Sequence, residues 1–255
     1  MNIPSFDLAN KRKLLYKRKR RRKIIFRLTL LFTLIFCLSV YFILNSKGLI
    51  NKKVTFAPSK EKDFIVCIDA GHGDFDIGSK GLSGSLEKDI VLNITLKLGE
   101  LLEKENIKVV YTRTNDSLSW VDDANDSLKE RIRISEAFNS DLFISIHCNS
   151  NYDNTSAKGI ETWYKASDEK SKAFAENIQL SLENLNYTDN RGVKTYVKKE
   201  DALAVVELNS ATSALVELGF LSNSLDERYL TLDSNQDKIA KALKEGIVEQ
   251  LTINN

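Results

Sequence analysis

Residues 64–87 read FIVCIDAGHGDFDIGSKGLSGSLE, and the fold follows from where this stretch changes character. Phe64–Asp69 is an unbroken apolar run closed by an acid, the pattern of a strand buried on both faces of a parallel sheet. It stops at Ala70-Gly71-His72-Gly73. Two glycines bracketing a histidine let the backbone turn sharply and let a ligand approach closely. Gly78, Gly81 and Gly84 keep the chain irregular until Leu86-Glu87, where a helical stripe opens with apolar residues at 90, 91, 94, 98, 101 and 102.

Strand and helix patterns alternate beyond this point. Ile107–Tyr111 reads as a second strand, and Thr114–Asn125 as a polar loop. Ser127-x-x-Glu130 has the form of a capping box for a helix through Phe138. Leu142–His147 is a third strand and Gly159–Tyr164 a fourth. Ser167 is placed to cap a helix reaching about Leu185. Val193–Val197 and Leu203–Val206 are short strand candidates. Ala214–Leu218 is a further apolar strand, and Asp237–Leu251 a closing amphipathic helix. Such alternation predicts an α/β domain with a single, mostly parallel twisted sheet and helices on both faces.

The two histidines of the chain both fall at strand ends, His72 after the first and His147 at the end of the third. With Glu87 opening a helix they make a His, Glu, His metal set of the kind that binds hydrolytic zinc and leaves a fourth position for water. Glu217, on an apolar strand where burial raises a carboxyl pKa, is placed to act as the base. In open α/β sheets the carboxyl ends of the strands form one crevice, so these groups converge. Asp74 and Asp76 are ligands or loop acids, Asp69 is a partner that orients His72, and Glu207 is an alternative base. Cys148 points to the face opposite His147 and reads as a packed thiol. The glycine loop is no dinucleotide fingerprint, because Asp76 replaces the third required glycine.

The chain of 255 residues carries a net charge of +2 that hides an asymmetry. Eleven of its 37 basic residues lie between Lys11 and Arg27, and residues 28–255 hold 26 basic against 34 acidic residues, a net −8. The basic arm is local, so no nucleic-acid partner is expected. Ile24–Leu44 has Arg27 as its only charge and is long enough to span a bilayer. The basic flank keeps residues 1–23 cytoplasmic and puts the rest outside. The predicted layout is a basic arm at 1–23, a single transmembrane anchor at 24–44, a polar linker at 45–63 and a catalytic domain at 64–255. Cys37, Cys67 and Cys148 show neither disulfide nor zinc-finger spacing.

An ordered set of motifs resembles the zinc-dependent N-acetylmuramoyl-L-alanine amidases of bacterial cell walls. They are Ile68-Asp-Ala-Gly-His-Gly73, Leu86-Glu-Lys88, Tyr111-Thr-Arg-Thr114, Arg131, Asp141–Asn149, Gly159-Ile-Glu-Thr162 and Leu215–Asn223. The resemblance implies one zinc held by His72, Glu87 and His147, Glu217 as catalytic glutamate, and Asn149 as a substrate contact. It implies hydrolysis of the amide between N-acetylmuramic acid and L-alanine in peptidoglycan. The single anchor joined to this domain is similar to the spore-cortex, germination-specific amidases, which act in muramic-δ-lactam formation. A vegetative autolysin and a non-catalytic tethered wall-binding scaffold are the alternatives, and an activator protein is left unidentified. This chain departs from the family at Cys148, where a small residue is usual, at Ala211-Thr-Ser213, which lacks a common proline, and at Glu207, where a basic residue is common.

Overall fold

The computed structural model describes residues 63–118, 124–166, 168–198 and 202–253. The basic arm, the expected anchor at 24–44 and nearly all of the expected linker lie outside the described residues. No helix among the described residues is long and apolar enough to cross a membrane.

The sheet has six strands: β1 (Ile65–Ala70), β2 (Lys108–Tyr111), β3 (Leu142–Asn149), β4 (Ile160–Tyr164), β5 (Asn190–Lys194) and β6 (Thr212–Phe220). Their order is β2-β1-β3-β6-β4-β5. β1, β2, β3 and β6 run parallel, whereas β4 is antiparallel to β6 and parallel to β5. The sheet is therefore mixed and mostly parallel. Parallel neighbours need a long crossover. Only the loop at 150–159 separates β3 from β4, so the chain turns back at the sheet's end and β4 runs downward.

The helices are α1 (Glu87–Lys104), α2 (Ala124–Ala137), α3 (Glu169–Glu183), α4 (Ala204–Glu207), α5 (Ser224–Leu230) and α6 (Asp233–Ile253). One sheet face, with Val66, Ile68, Ile144, Ile146, Val216 and Leu218, packs against Ile94 and Leu98 of α1, Phe174 and Ile178 of α3 and Leu243 and Ile247 of α6. Most of these side chains are fully buried, and each contributes roughly 1.5–3 kcal/mol. A smaller cluster of Cys67, Phe143, Leu215, Val205 and Val206 covers the other face, beneath α4. β1 feeds α1 and then β2 on one side, and α2 brings the chain back to β3 on the other. The strand order thus reverses between β1 and β3, which opens a crevice at their carboxyl ends.

Several sequence expectations change here. Leu203–Val206 is not a strand: α4 is one helical turn whose amides at Val206 and Glu207 bond to Leu203 O. Val205 and Val206 pack with Cys67, Phe143 and Leu215 on the face of the sheet, and a short apolar run alone cannot distinguish strand from buried helix. The strand expected at Val193–Val197 lies earlier, at Asn190–Lys194. Ser127 is no helix cap, because α2 already begins at Ala124. Its hydroxyl accepts from Arg131 Nε at 3.2 Å, and Glu130 pairs with Arg133. Ser167 lies outside the described residues, and Asp168 caps α3 by accepting from Lys170 N at 3.1 Å.

Candidate metal centre

The loop after β1 is shaped by two buried arginines. Arg131 pairs with Asp69 at 2.6 Å, with Arg131 and Asp69 side chains 5% and 1% exposed. The same guanidinium donates to Ala70 O at 2.7 Å and to His72 O at 2.6 Å. Arg113 donates to Ala70 O at 2.9 Å, Gly71 O at 2.8 Å and Lys88 O at 2.8 Å. Three consecutive carbonyls are thereby held, and His72 sits at φ 60, in the left-handed region. Such backbone strain in a non-glycine residue persists only where surrounding structure imposes it. Asp69 thus acts on the loop through Arg131, Thr112 and Ser145 rather than by bonding the His72 ring. The expectation that Asp69 orients that ring is corrected: Asp76 Oδ2 meets His72 Nδ1 at 2.9 Å. β1 points Asp69 to the α2 face, and the turn at 71–73 carries His72 away from it.

With Nδ1 engaged, His72 presents Nε2 to the crevice. It lies 3.0 Å from Glu87 Oε1 and 3.1 Å from His147 Nδ1, and His147 Nδ1 is 3.0 Å from the same Glu87 oxygen. One donor atom from each of the three residues lies within 4.8 Å of the others. Glu87 is 2% exposed, and two backbone amides fix its carboxylate, Cys148 N on Oε1 at 2.9 Å and Ser79 N on Oε2 at 2.8 Å. Burial opposes ionisation of Glu87, but His147 and His72 outweigh it and hold its pKa well below the usual range. Burial likewise opposes charge on His72, yet Glu87 and then Asp76 raise its pKa to about 9. A buried carboxylate facing two imidazole nitrogens needs positive charge among them. The donor set fits a zinc-type dication in that place.

Glu217 stands beside this group. β-sheet register places it opposite His147 on β3 and opposite Glu161 on β4, so the three point to one sheet face in a row. Its Oε2 is buried with no hydrogen-bond partner among the described residues. Burial raises its pKa; His147 opposes the rise, Glu87 and Glu161 add to it, and the result is about 7. Glu207 is remote from the row: it sits on α4 and accepts a hydrogen bond from the Tyr196 hydroxyl. Asp74 lies outside the donor group on the exposed side of the loop, where its carbonyl binds Lys88 Nζ at 2.9 Å. Cys148 is buried in the larger core cluster, and burial pushes its thiol pKa well up. Asn149 donates to Glu161 Oε1 at 3.2 Å, on the edge of the row.

Glu161 is the residue that sequence reasoning passed over. It is 3% exposed and takes Arg191, Lys194, Trp163 and Asn149. Its signal was available in Gly159-Ile-Glu-Thr162, an acid in an alternating strand with no other reason to be buried.

Gly71 is a further constraint. A Cβ built there lies 2.3 Å from His147 Cε1 and 2.5 Å from its Nε2. Gly71→Ala must therefore push the His147 ring away from Glu87. The expected result is a zinc affinity lower by about 10- to 100-fold, the range for disturbing ligand orientation. Competition against a chromogenic chelator measures it, and an unchanged affinity would show that His147 does not need this geometry.

Residues 66–249 match the family described as N-acetylmuramoyl-L-alanine amidase (Amidase_3). The N-acetylmuramoyl-L-alanine amidase LytC of Bacillus subtilis is 36% identical over 185 residues, which cover 72% of this chain and 34% of LytC. The chain thus spans about a third of that relative's length. The germination-specific N-acetylmuramoyl-L-alanine amidase of Bacillus subtilis is 26% identical over 196 residues, covering 74% of this chain and 80% of the relative. Among solved structures, the CwlD amidase of Clostridioides difficile in complex with the GerS lipoprotein superposes with a TM-score of 0.69 at 34% identity, covering 74% of this chain and 99% of CwlD.

Proposed function

Since the chain belongs to the N-acetylmuramoyl-L-alanine amidase family, we propose that it hydrolyses the amide between N-acetylmuramic acid and L-alanine of peptidoglycan, with His72, Glu87 and His147 holding one zinc ion. The observation that carries this is the single Glu87 oxygen at 3.0 Å from a nitrogen of each imidazole, with Glu217 one strand away. When bound, zinc polarises the scissile carbonyl and lowers the pKa of water toward about 7. Glu217 takes a proton from the attacking water and delivers it to the leaving nitrogen of L-alanine. Its unpartnered oxygen leaves that lone pair free for the task. Asp76 keeps His72 in the tautomer that directs Nε2 inward, and the two amides on Glu87 stop its carboxylate from rotating. Asn149 contributes a substrate contact from the end of β3.

The likeness to the germination-specific amidase and to CwlD supports a role in spore-cortex maturation. The basic arm and the apolar stretch at 24–44 support a single-pass anchor that leaves the catalytic domain on the wall side of the membrane. CwlD was solved with a lipoprotein, and a protein partner of that kind belongs to this reading. The full-length chain, purified in detergent and loaded with zinc, is expected to bind close to one zinc per chain and to free peptides with new N-terminal alanine from wall fragments. Release of C-terminal D-alanine instead would overturn the assignment. Loss of muramic-δ-lactam from the cortex of a deletion strain tests the spore role.

A further inference from the structure

Beside Glu217 lies a cationic group that the hydrolytic reading leaves unused. The buried Glu161 carboxylate accepts from Arg191 Nε at 2.7 Å and from the Lys194 ammonium on Oε2, and from Trp163 Nε1 at 3.1 Å and Asn149 Nδ2 at 3.2 Å on Oε1. Two cations share one carboxylate, so one unit of positive charge is left over. Both stay open to solvent, with side chains 37% and 29% exposed. Arg191 spends only Nε on Glu161, and its terminal fork has no hydrogen-bond partner among the described residues. Its guanidinium carbon lies 5.0 Å over the Phe220 ring, and Lys194 Nζ lies 5.6 Å over Trp163.

The arrangement is built in. A Cβ at Gly159, whose φ is +116, would sit 2.8 Å from Arg191 Cγ, so this glycine makes room for the arginine stem. Asp226 ties Gly159 N and Phe220 N, each at 2.9 Å, and so fixes both sides of the arginine. A planar fork with free donors, held over a ring with surplus positive charge, is suited to bind a carboxylate.

We propose that Arg191 and Lys194, held by Glu161, form a subsite that selects stem peptides carrying a free carboxylate within two residues of the scissile amide. This rests on the amidase reading above. Strands lie about 4.8 Å apart, which puts β5 about 10 Å from β6. The cation heads lean back onto Glu161, one strand from Glu217, while a peptide advances roughly 3.3–3.6 Å per residue. Muramic acid's own carboxyl is consumed in the amide, so a free carboxylate at this reach is on the peptide side.

The test uses two synthetic muramyl peptides that differ only in the second stem residue, one with a free carboxylate and the other with its carboxamide. The full-length, zinc-loaded chain is expected to favour the acid in kcat/KM by about 10- to 100-fold, the span of one charge-assisted hydrogen bond. Arg191→Met and Lys194→Met are each expected to bring the ratio toward one; should one variant fold poorly, the other reads the same ratio. Equal cleavage of both peptides by the parent, or a ratio unmoved in both variants, overturns the subsite and leaves the amidase reading intact. Cleavage of neither peptide removes the amidase reading, and the subsite with it.

Discussion

Glu217→Gln is expected to lower kcat by about 10²- to 10⁴-fold, the contribution of one positioned acid-base group, while zinc content stays at the level of the parent. The substitution keeps the shape of the side chain on β6 and removes only its capacity to carry a proton. No ligand atom is touched, because His72, Glu87 and His147 hold one another independently of it. A pH profile adds a second reading. The base works as a carboxylate, so activity falls as pH drops through its pKa. Burial and two neighbouring acids raise that pKa to about 7 in the metal-free protein, and a dication next to it draws the value down. The acid limb of kcat/KM is therefore expected at or below about pH 7, and it should vanish from the residual activity of the Gln variant. A variant that turns over as fast as the parent would show that another group takes the proton.

Arg131→Met is expected to have the largest effect on stability. Asp69, which is 1% exposed, would keep only Thr112 and Ser145, each at 2.6 Å, and would lose its sole ion-pair partner among the described residues. Breaking one side of a buried pair typically costs about 3–5 kcal/mol. In a domain of this size that corresponds to a fall of roughly 6–20 °C in Tm. The damage should reach the metal centre as well, because the same guanidinium holds the carbonyls of Ala70 and His72. Zinc affinity should fall along with Tm, whereas Glu217→Gln should leave both in place. Thermal unfolding with and without zinc measures the two effects. An unchanged Tm would mean that Asp69 is satisfied without the arginine.

Much of this was legible from residue order. The strand-turn-helix character of 64–87 and the periodicity of the helices depend on short-range patterns: apolar runs for buried strands, a 3.6-residue stripe for helices and glycines where the backbone must turn. The positions of His72 and His147 at strand ends follow from the same patterns. The errors fell where two structures share one local pattern. Leu203–Val206 is apolar enough for either strand or helix, and Ser127-x-x-Glu130 has the spacing of a cap although it lies inside α2.

What the amino-acid order determined by itself was the α/β alternation and the set of groups available to a metal, because those depend on neighbours within a turn or a strand. Only the tertiary structure decided which acids partner which groups. Asp69 and Asp76 are equally plausible companions of His72 along the chain, and the turn through a left-handed His72 gives the task to Asp76. The reversal of β4 is what brings Glu161, with its two cations, level with Glu217. Strand direction and register come from which edges are free to pair across the whole sheet, and that information is not held in any short stretch of sequence.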